Sequence, residues 1–410
     1  MKCFARSAAA ILLATVLCSP GHAEVAAEPN AQSASAGPVI VEPALDGLFS
    51  AYSSHPVVIL GDAHGLAAQM EFYTAVVRDP RFASDVRNLV VEFGASSQQP
   101  VIDRYLAGAT VPYVELRKVW NDTVGWAPPP GVVGFAKFFA AVRDVNKSLP
   151  PNRQIKVWLG EPPIDWTNPS RDEIMAAVRS LDTYPAALIR NNILAKGEKA
   201  LVIYGAGHLG GGPLLKGLLD ATNPGAIFAI LPYAPPLQYP ACAPLLPQVM
   251  AIWPKPVLAT RSRDEAEAWV RACFTLSPPM LGPGPGGPGP AGRGPGGPGP
   301  AGPPPGGAGP PPLEGDGLLL LGPLDKLGQS PFLPDYLLDP EVRREVRRRS
   351  NLGGPPLLPA PPSGLAVRKA DYAFDLEAPG FRELIEKIFA AYDRNHDGVI
   401  TSDEYHDPLD

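Results

Sequence analysis

The chain has 410 residues, 45% of them apolar, a net charge of -6, 42 glycines and 53 prolines. That length and apolar content support one large core with a small appendage, and the mild acidity excludes the basic field that nucleic-acid binding needs. Glycine and proline at this level require long irregular segments beside the globular part.

In chain order, Lys2 and Arg6 precede an apolar run over 8–17 and small residues that allow cleavage after Ala23. This reads as an export signal, too short for a stable membrane span, and places the protein in the periplasm or outside the cell. A lipoprotein anchored through Cys18 is disfavoured by bulky Leu17. Removal of residues 1–23 leaves Cys242 and Cys273, which in an exported chain are expected to pair. Residues 24–37 are an Ala/Ser/Pro/Glu-rich spacer.

A short helix over 39–50 is expected to lead into the first strand, Val57 to Leu60, which ends at Gly61-Asp62-Ala63-His64. Helical periodicity follows over 66–77, then a second strand ending at Glu92, and helices over 99–106 and 132–145. A third strand ends at Gly160-Glu161. Ser170 with Glu173 forms a capping-box pattern. A fourth strand ends at Gly205-Ala206-Gly207-His208, and after a helix over 212–219 a fifth runs over 226–231. Such alternation predicts an α/β fold, a mainly parallel sheet with flanking helices, plus a small helical EF-hand appendage. Residues 282–312 are almost only Gly and Pro without a three-residue period, so they read as a disordered insertion and not as collagen. A further buried strand at Leu318 to Leu321 and a surface helix over 341–349 follow the insertion and keep it inside the α/β domain, 38–354. Residues 355–380 read as a proline-rich linker.

In open α/β sheets, ligands bind outside the carboxyl ends of strands. His64, Glu92, Glu161 and His208 all stand at such ends, so they are expected to share one site for a small-molecule ligand or substrate. Histidine near neutrality can deprotonate water, and a neighbouring carboxylate can orient it. The same groups could ligate a divalent metal. Trp120, Trp126 and Trp166 lie in loops on the same side, where they serve as pocket walls or as core, and Asp165 is a candidate orienting carboxylate.

The motifs Gly61-x-x-His64, Glu92 and Gly205-Ala206-Gly207-His208-Leu209 resemble those of the haem-uptake/Tiki superfamily. Glu71-Phe72-Tyr73, Asp103-Arg104-Tyr105-Leu106-Ala107-Gly108, Trp120, Arg143 with Asn146, and Gly160-Glu161 are similar to its erythromycin-esterase-like members. The resemblance covers about 56–231. It implies an esterase-like hydrolase with His64 as general base and Glu71, Glu92 and His208 helping to activate water; Tiki-type members use a divalent metal instead. A haem- or metal-binding uptake protein, and a catalytically idle scaffold, are the alternatives.

Residues 393–404 match the twelve-residue EF-hand loop. Asp393, Asn395 and Asp397 supply oxygens at positions one, three and five, Gly398 permits the turn, Val399 offers its carbonyl, Thr401 a further oxygen, and Glu404 two carboxylate oxygens. The loop follows an amphipathic helix over 381–392. With few residues after Glu404 and no second loop to pair with, a weak calcium site is expected, with Kd on the order of 10⁻⁴–10⁻³ M.

Overall fold

Continuous apolar runs, rich in β-branched residues and buried on both faces, form the strands of a parallel sheet covered on each side. The computed structural model describes residues 38–125, 131–233, 245–261, 263–273, 313–322, 327–354 and 366–409. The expected leader and spacer, the Gly/Pro insertion, Trp126, Cys242 and the proline-rich stretch 355–363 lie outside the described residues.

Eight strands make one sheet: β1 (Ile40–Pro43), β2 (Val57–Asp62), β3 (Asn88–Ala95), β4 (Lys156–Glu161), β5 (Ala200–Gly205), β6 (Ile227–Tyr233), β7 (Val257–Thr260) and β8 (Gly317–Leu320). Their order is β1-β7-β8-β6-β2-β5-β3-β4. From β8 to β4 every pairing is parallel, while β7 runs antiparallel to both β8 and β1. The fold is therefore α/β with a mainly parallel sheet. Residues 40–43 are strand where a helix was expected, and the helix starts at Ala44. The edge pairing with β7 captures Ile40–Pro43, and Pro43 interrupts the chain just before the helix.

Side chains alternate across the sheet. Val58, Leu60, Leu89, Val91, Leu201 and Ile203 point into one apolar cluster, with Phe135, Phe138 and Phe139 of the helix Val133–Lys147 and Met70, Tyr73 and Val76 of the helix Ala67–Arg78. Val57, Ile59, Val90 and Val202 point the other way, against the helices Thr183–Asn192 and Leu215–Thr222. Each large aliphatic or aromatic side chain so buried contributes about 1.5–3 kcal/mol. The Ser170 capping box opens the helix Arg171–Arg179 as expected. Cys273, the last residue of the helix Arg263–Cys273, is disulfide-bonded.

The C-terminal segment is present as a helical element, Phe381–Tyr392, but it does not hang from a linker. Tyr372, Leu376, Phe381, Ile385, Ile388, Phe389 and Tyr392 belong to the main cluster. Tyr105 donates to the Leu376 carbonyl at 2.7 Å, and the Tyr113 amide donates to the Pro379 carbonyl at 2.8 Å. A two-stranded ladder, β9 (Val367–Arg368) with β10 (Val399–Ile400), closes the unit. Among the described residues no helix is long and apolar enough to cross a membrane.

Phe135 is fully buried and stacks on Phe93 with centroids 4.1 Å apart. Phe135→Ala is expected to destabilise the fold by about 3–5 kcal/mol, read as a lower urea midpoint with unchanged slope.

Candidate active site at the carboxyl edge of the sheet

Strand order brings the expected residues together. β5 lies between β2 and β3, with Asp62 level with Gly205 and Val91 level with Ile203. Residues widely separated in the chain therefore reach one edge side by side. A β-carbon on Gly205 would lie 2.7 Å from His64 Nε2 and 3.0 Å from Glu92 Oε2, so these two atoms crowd one point that only glycine leaves open.

Each imidazole is held through Nδ1 by its own carboxylate. His64 Nδ1 stands 2.9 Å from Asp62 Oδ2, and the other Asp62 oxygen accepts from the Tyr73 hydroxyl at 2.9 Å. His208 Nδ1 stands 2.7 Å from Asp182 Oδ1, which also accepts the Leu215 amide at 2.8 Å. Since an ionised aspartate only accepts, each Nδ1 carries a proton. His208 Nε2 in turn stands 3.5 Å from Glu92 Oε1, and Glu92 Oε2 accepts the Gly205 amide. The cluster thus runs Asp62, His64, Glu92, His208, Asp182. Its imidazoles are about one-fifth to one-quarter exposed, while Glu92 and Asp62 are buried.

The electrostatics follow from this shared anion. Burial alone would lower His64, but Glu92 and then Asp62 outweigh it and raise the imidazole above its ordinary 6.5. Burial likewise opposes the charge on His208, yet Asp182 and Glu92 push it up to about 10. For Glu92 burial favours the neutral acid, and His64 and His208 overcome that and hold it below the ordinary carboxylate value. Glu161 differs: burial raises it to about 8, against the peptide N–H groups of Gly125 and Val124 that its carboxyl accepts. The Tyr204 ring stands edge-on to His208, with centroids 5.5 Å apart.

The turn carrying His64 is clamped by Gln69, fully buried in the helix Ala67–Arg78. Its Nε2 donates to the Gly61 carbonyl at 2.6 Å and its Oε1 accepts the Ala63 amide at 2.8 Å. Glu71, on the same helix, is exposed and faces away from this clamp. The helical period that turns Gln69, Met70 and Tyr73 inward turns Glu71 outward. His64, Glu92, Glu161 and His208 are thus brought to one edge, and Glu71 is not. Sequence reasoning missed Asp182, Gln69 and Tyr73. Asp182 carries no motif, while Gln69 and Tyr73 share the inward face of a helix already expected.

A cleft of about 810 Å³ opens beside the ends of β3 and β4, within the size range of small-molecule sites. Gln98, Asp122, Asp165, Trp166, Arg348 and Arg349 contribute to its lining. Arg349 lies over the Trp166 ring and bonds Asp122 at 2.8 Å. Asp165 accepts its neighbour Thr167's amide and takes no part in the imidazole cluster, and Trp120 is buried core stacked on Phe139. Among the described residues, no group of three or more His, Cys, Asp or Glu side chains stands as placed at metal-holding spacing.

No protein-family model and no curated protein matches this chain. Among solved structures, the type III effector HopBA1 is similar at 18% identity over 49% of this chain and 88% of its own, with a TM-score of 0.31. A Bacillus cereus protein is similar at 12% identity over 46% of this chain and 68% of its own, also at 0.31. Both likenesses are too distant to carry an argument.

Because the fold raises His208, it stabilises the protonated imidazole. That contribution is present in full below about pH 6.5 and fades as pH rises through about 10. Asp182→Asn is expected to bring the His208 titration down, as seen by NMR, and to shrink the wild type's stability advantage across that window. An advantage that stays constant with pH would contradict the assignment.

Proposed function

We propose that the protein is an esterase-like hydrolase run by His64 and His208 around Glu92, and that its 393–404 loop binds calcium. The observation that carries the first part is the paired arrangement: both imidazoles are anchored at Nδ1 by their own aspartates, His208 Nε2 stands 3.5 Å from one oxygen of a buried glutamate, and His64 Nε2 and the other oxygen of that glutamate both border the open point at Gly205. Anchoring at Nδ1 fixes the tautomer and leaves Nε2 for proton transfer, the logic of general acid–base catalysis.

In this reading a water at the mouth attacks the ester carbonyl, and His64 Nε2 takes its proton. The new bond joins the water oxygen to the carbonyl carbon. His208, protonated at neutral pH, faces the developing negative charge and gives its Nε2 proton to the leaving alkoxide as the carbon–oxygen bond breaks. Proton exchange with solvent resets both imidazoles. Asp62 and Asp182 hold the rings in register, and Glu92 balances their charge throughout.

Calcium at the loop is supported by its donor set and fold. All the donor positions are hard oxygens, and Gly398 adopts φ +82 at the sharp turn. Asp393 Oδ1 and Asn395 Oδ1 both accept the Asp397 amide, so they face one point. β9 stands where the strand of a second loop would stand, and supports β10. Glu404 is turned onto the amides of Arg394, Asn395 and Thr401, so binding exchanges these bonds for the ion.

Three measurements test the reading. Turnover of a generic ester panel is expected, with a loss of about 10²–10⁴ in His64→Ala. Activity should rise as pH passes a value above 6.5, where His64 loses its proton, and fall above about 10, where His208 does. A Soret band on adding haem, without turnover, would favour the binding alternative. Calorimetry should show calcium heat that Glu404→Gln removes; equal heat in both proteins would exclude the loop.

A further inference from the structure

We infer that Tyr372 is a positioning residue for His64, coupling the calcium loop to the carboxyl edge of the sheet. The inference rests on the reading proposed above. Its basis is a strap, residues 328–333, that bonds both regions at once. At one end the Ser330 amide donates to the Gly65 carbonyl at 2.6 Å, and the Ala67 amide donates to the Gly328 carbonyl at 2.8 Å. Leu66 bridges Gln329 in antiparallel fashion. Gly65, at φ +81, immediately follows His64, and a β-carbon there would come within 2.8 Å of Gln329 Oε1. The strap therefore lies directly on the turn that aims His64.

At the other end the strap meets the C-terminal unit. The Tyr372 hydroxyl donates to the Phe332 carbonyl at 2.8 Å in a buried bond. Tyr372 ends the helical turn Lys369–Tyr372, which follows β9 directly. β9 pairs with β10 inside the calcium loop, Arg368 opposite Val399, and the Lys369 amide donates to the Gly398 carbonyl at 2.8 Å. Between loop residue Val399 and His64 the route is backbone pairing and main-chain hydrogen bonds, with one side-chain hydroxyl at its centre. The middle of the strap is anchored on the helix Val133–Lys147 and its entry: Val133 donates to the Pro331 carbonyl at 2.8 Å, and the Gly134 amide to Ser330 Oγ at 3.0 Å.

Coupling between two sites requires an element whose contacts differ between two states. Glu404 supplies the difference, because it leaves three loop amides on meeting the ion. The β10–β9 ladder and the turn holding Tyr372 are then drawn against a different partner, and the strap passes the change to Gly65. By linkage, a ligand held at His64 alters calcium affinity by the same factor.

The test compares the full chain with Tyr372→Phe, which keeps the ring against Phe389 and removes only the hydroxyl, and with Tyr392→Phe as control. The Tyr392 hydroxyl bonds Leu338 and does not touch the strap. Calcium heat, amide hydrogen exchange over 63–67, and ester kcat and KM are measured with and without calcium. In the wild type and in Tyr392→Phe, calcium is expected to slow exchange over 63–67 by about fivefold or more, and to change kcat with KM unmoved. Tyr372→Phe should keep the heat and lose both effects. Equal slowing in Tyr372→Phe, loss of slowing in the control, or heat with no slowing in the wild type overturns the inference alone. Absence of calcium heat removes the calcium reading and the inference together. Slowing without turnover of any ester supports the coupling and removes only the hydrolase reading.

Discussion

A carboxylate kept ionised inside a sheet needs compensating charge, because burying it alone costs several kcal/mol. Glu92 meets that need with two imidazoles and a peptide N–H, and the rest of the edge is arranged around this solution. Placing β5 between β2 and β3 sets the two histidines around one anion. Asp62 and Asp182 stop either ring from rotating away. Glu161, without an imidazole of its own, is pushed up to about 8 by the same burial that Glu92 withstands. Two glutamates at neighbouring strand ends are therefore pushed in opposite directions, because only one of them is held between histidines.

Much of this was legible in the sequence, for a physical reason. A buried parallel strand must be apolar along its length and can place ionisable groups only at its tip, so runs such as Val57 to Leu60 and Leu201 to Tyr204 announce both a strand and the charged groups at its carboxyl end. The capping box at Ser170 carries spacing dictated by hydrogen-bond geometry, which is local by nature. β1 and β7 were not legible, since four residues beside prolines carry no period and gain their form from each other. Asp182 is a single acidic residue before a helix, and its role exists only once β5 has delivered His208. Glu71, placed in the site by resemblance, lies on the outward phase of its helix. β9 was hidden in a segment that reads as linker, because its two residues acquire strand geometry only from Val399 and Ile400.

One face of the C-terminal unit belongs to the molecule's interior. Phe381 packs against Tyr113, with ring centroids 4.9 Å apart, and buried Arg343 reaches Asp407 at 2.8 Å. Arg143, also buried, donates to Glu377 and to the Gly108 and Ala109 carbonyls. The contacts tie residues 366–409 to the helices that cover one face of the sheet.

That shared interior has a consequence for biogenesis. A nascent chain lacking residues 367–400 would display the apolar wall around Tyr105, Tyr113 and Leu338 to solvent, with no local substitute to cover it. Completion of the fold then waits on the helix Phe381–Tyr392, and an intermediate without it stays open and vulnerable to aggregation and proteolysis until that helix docks.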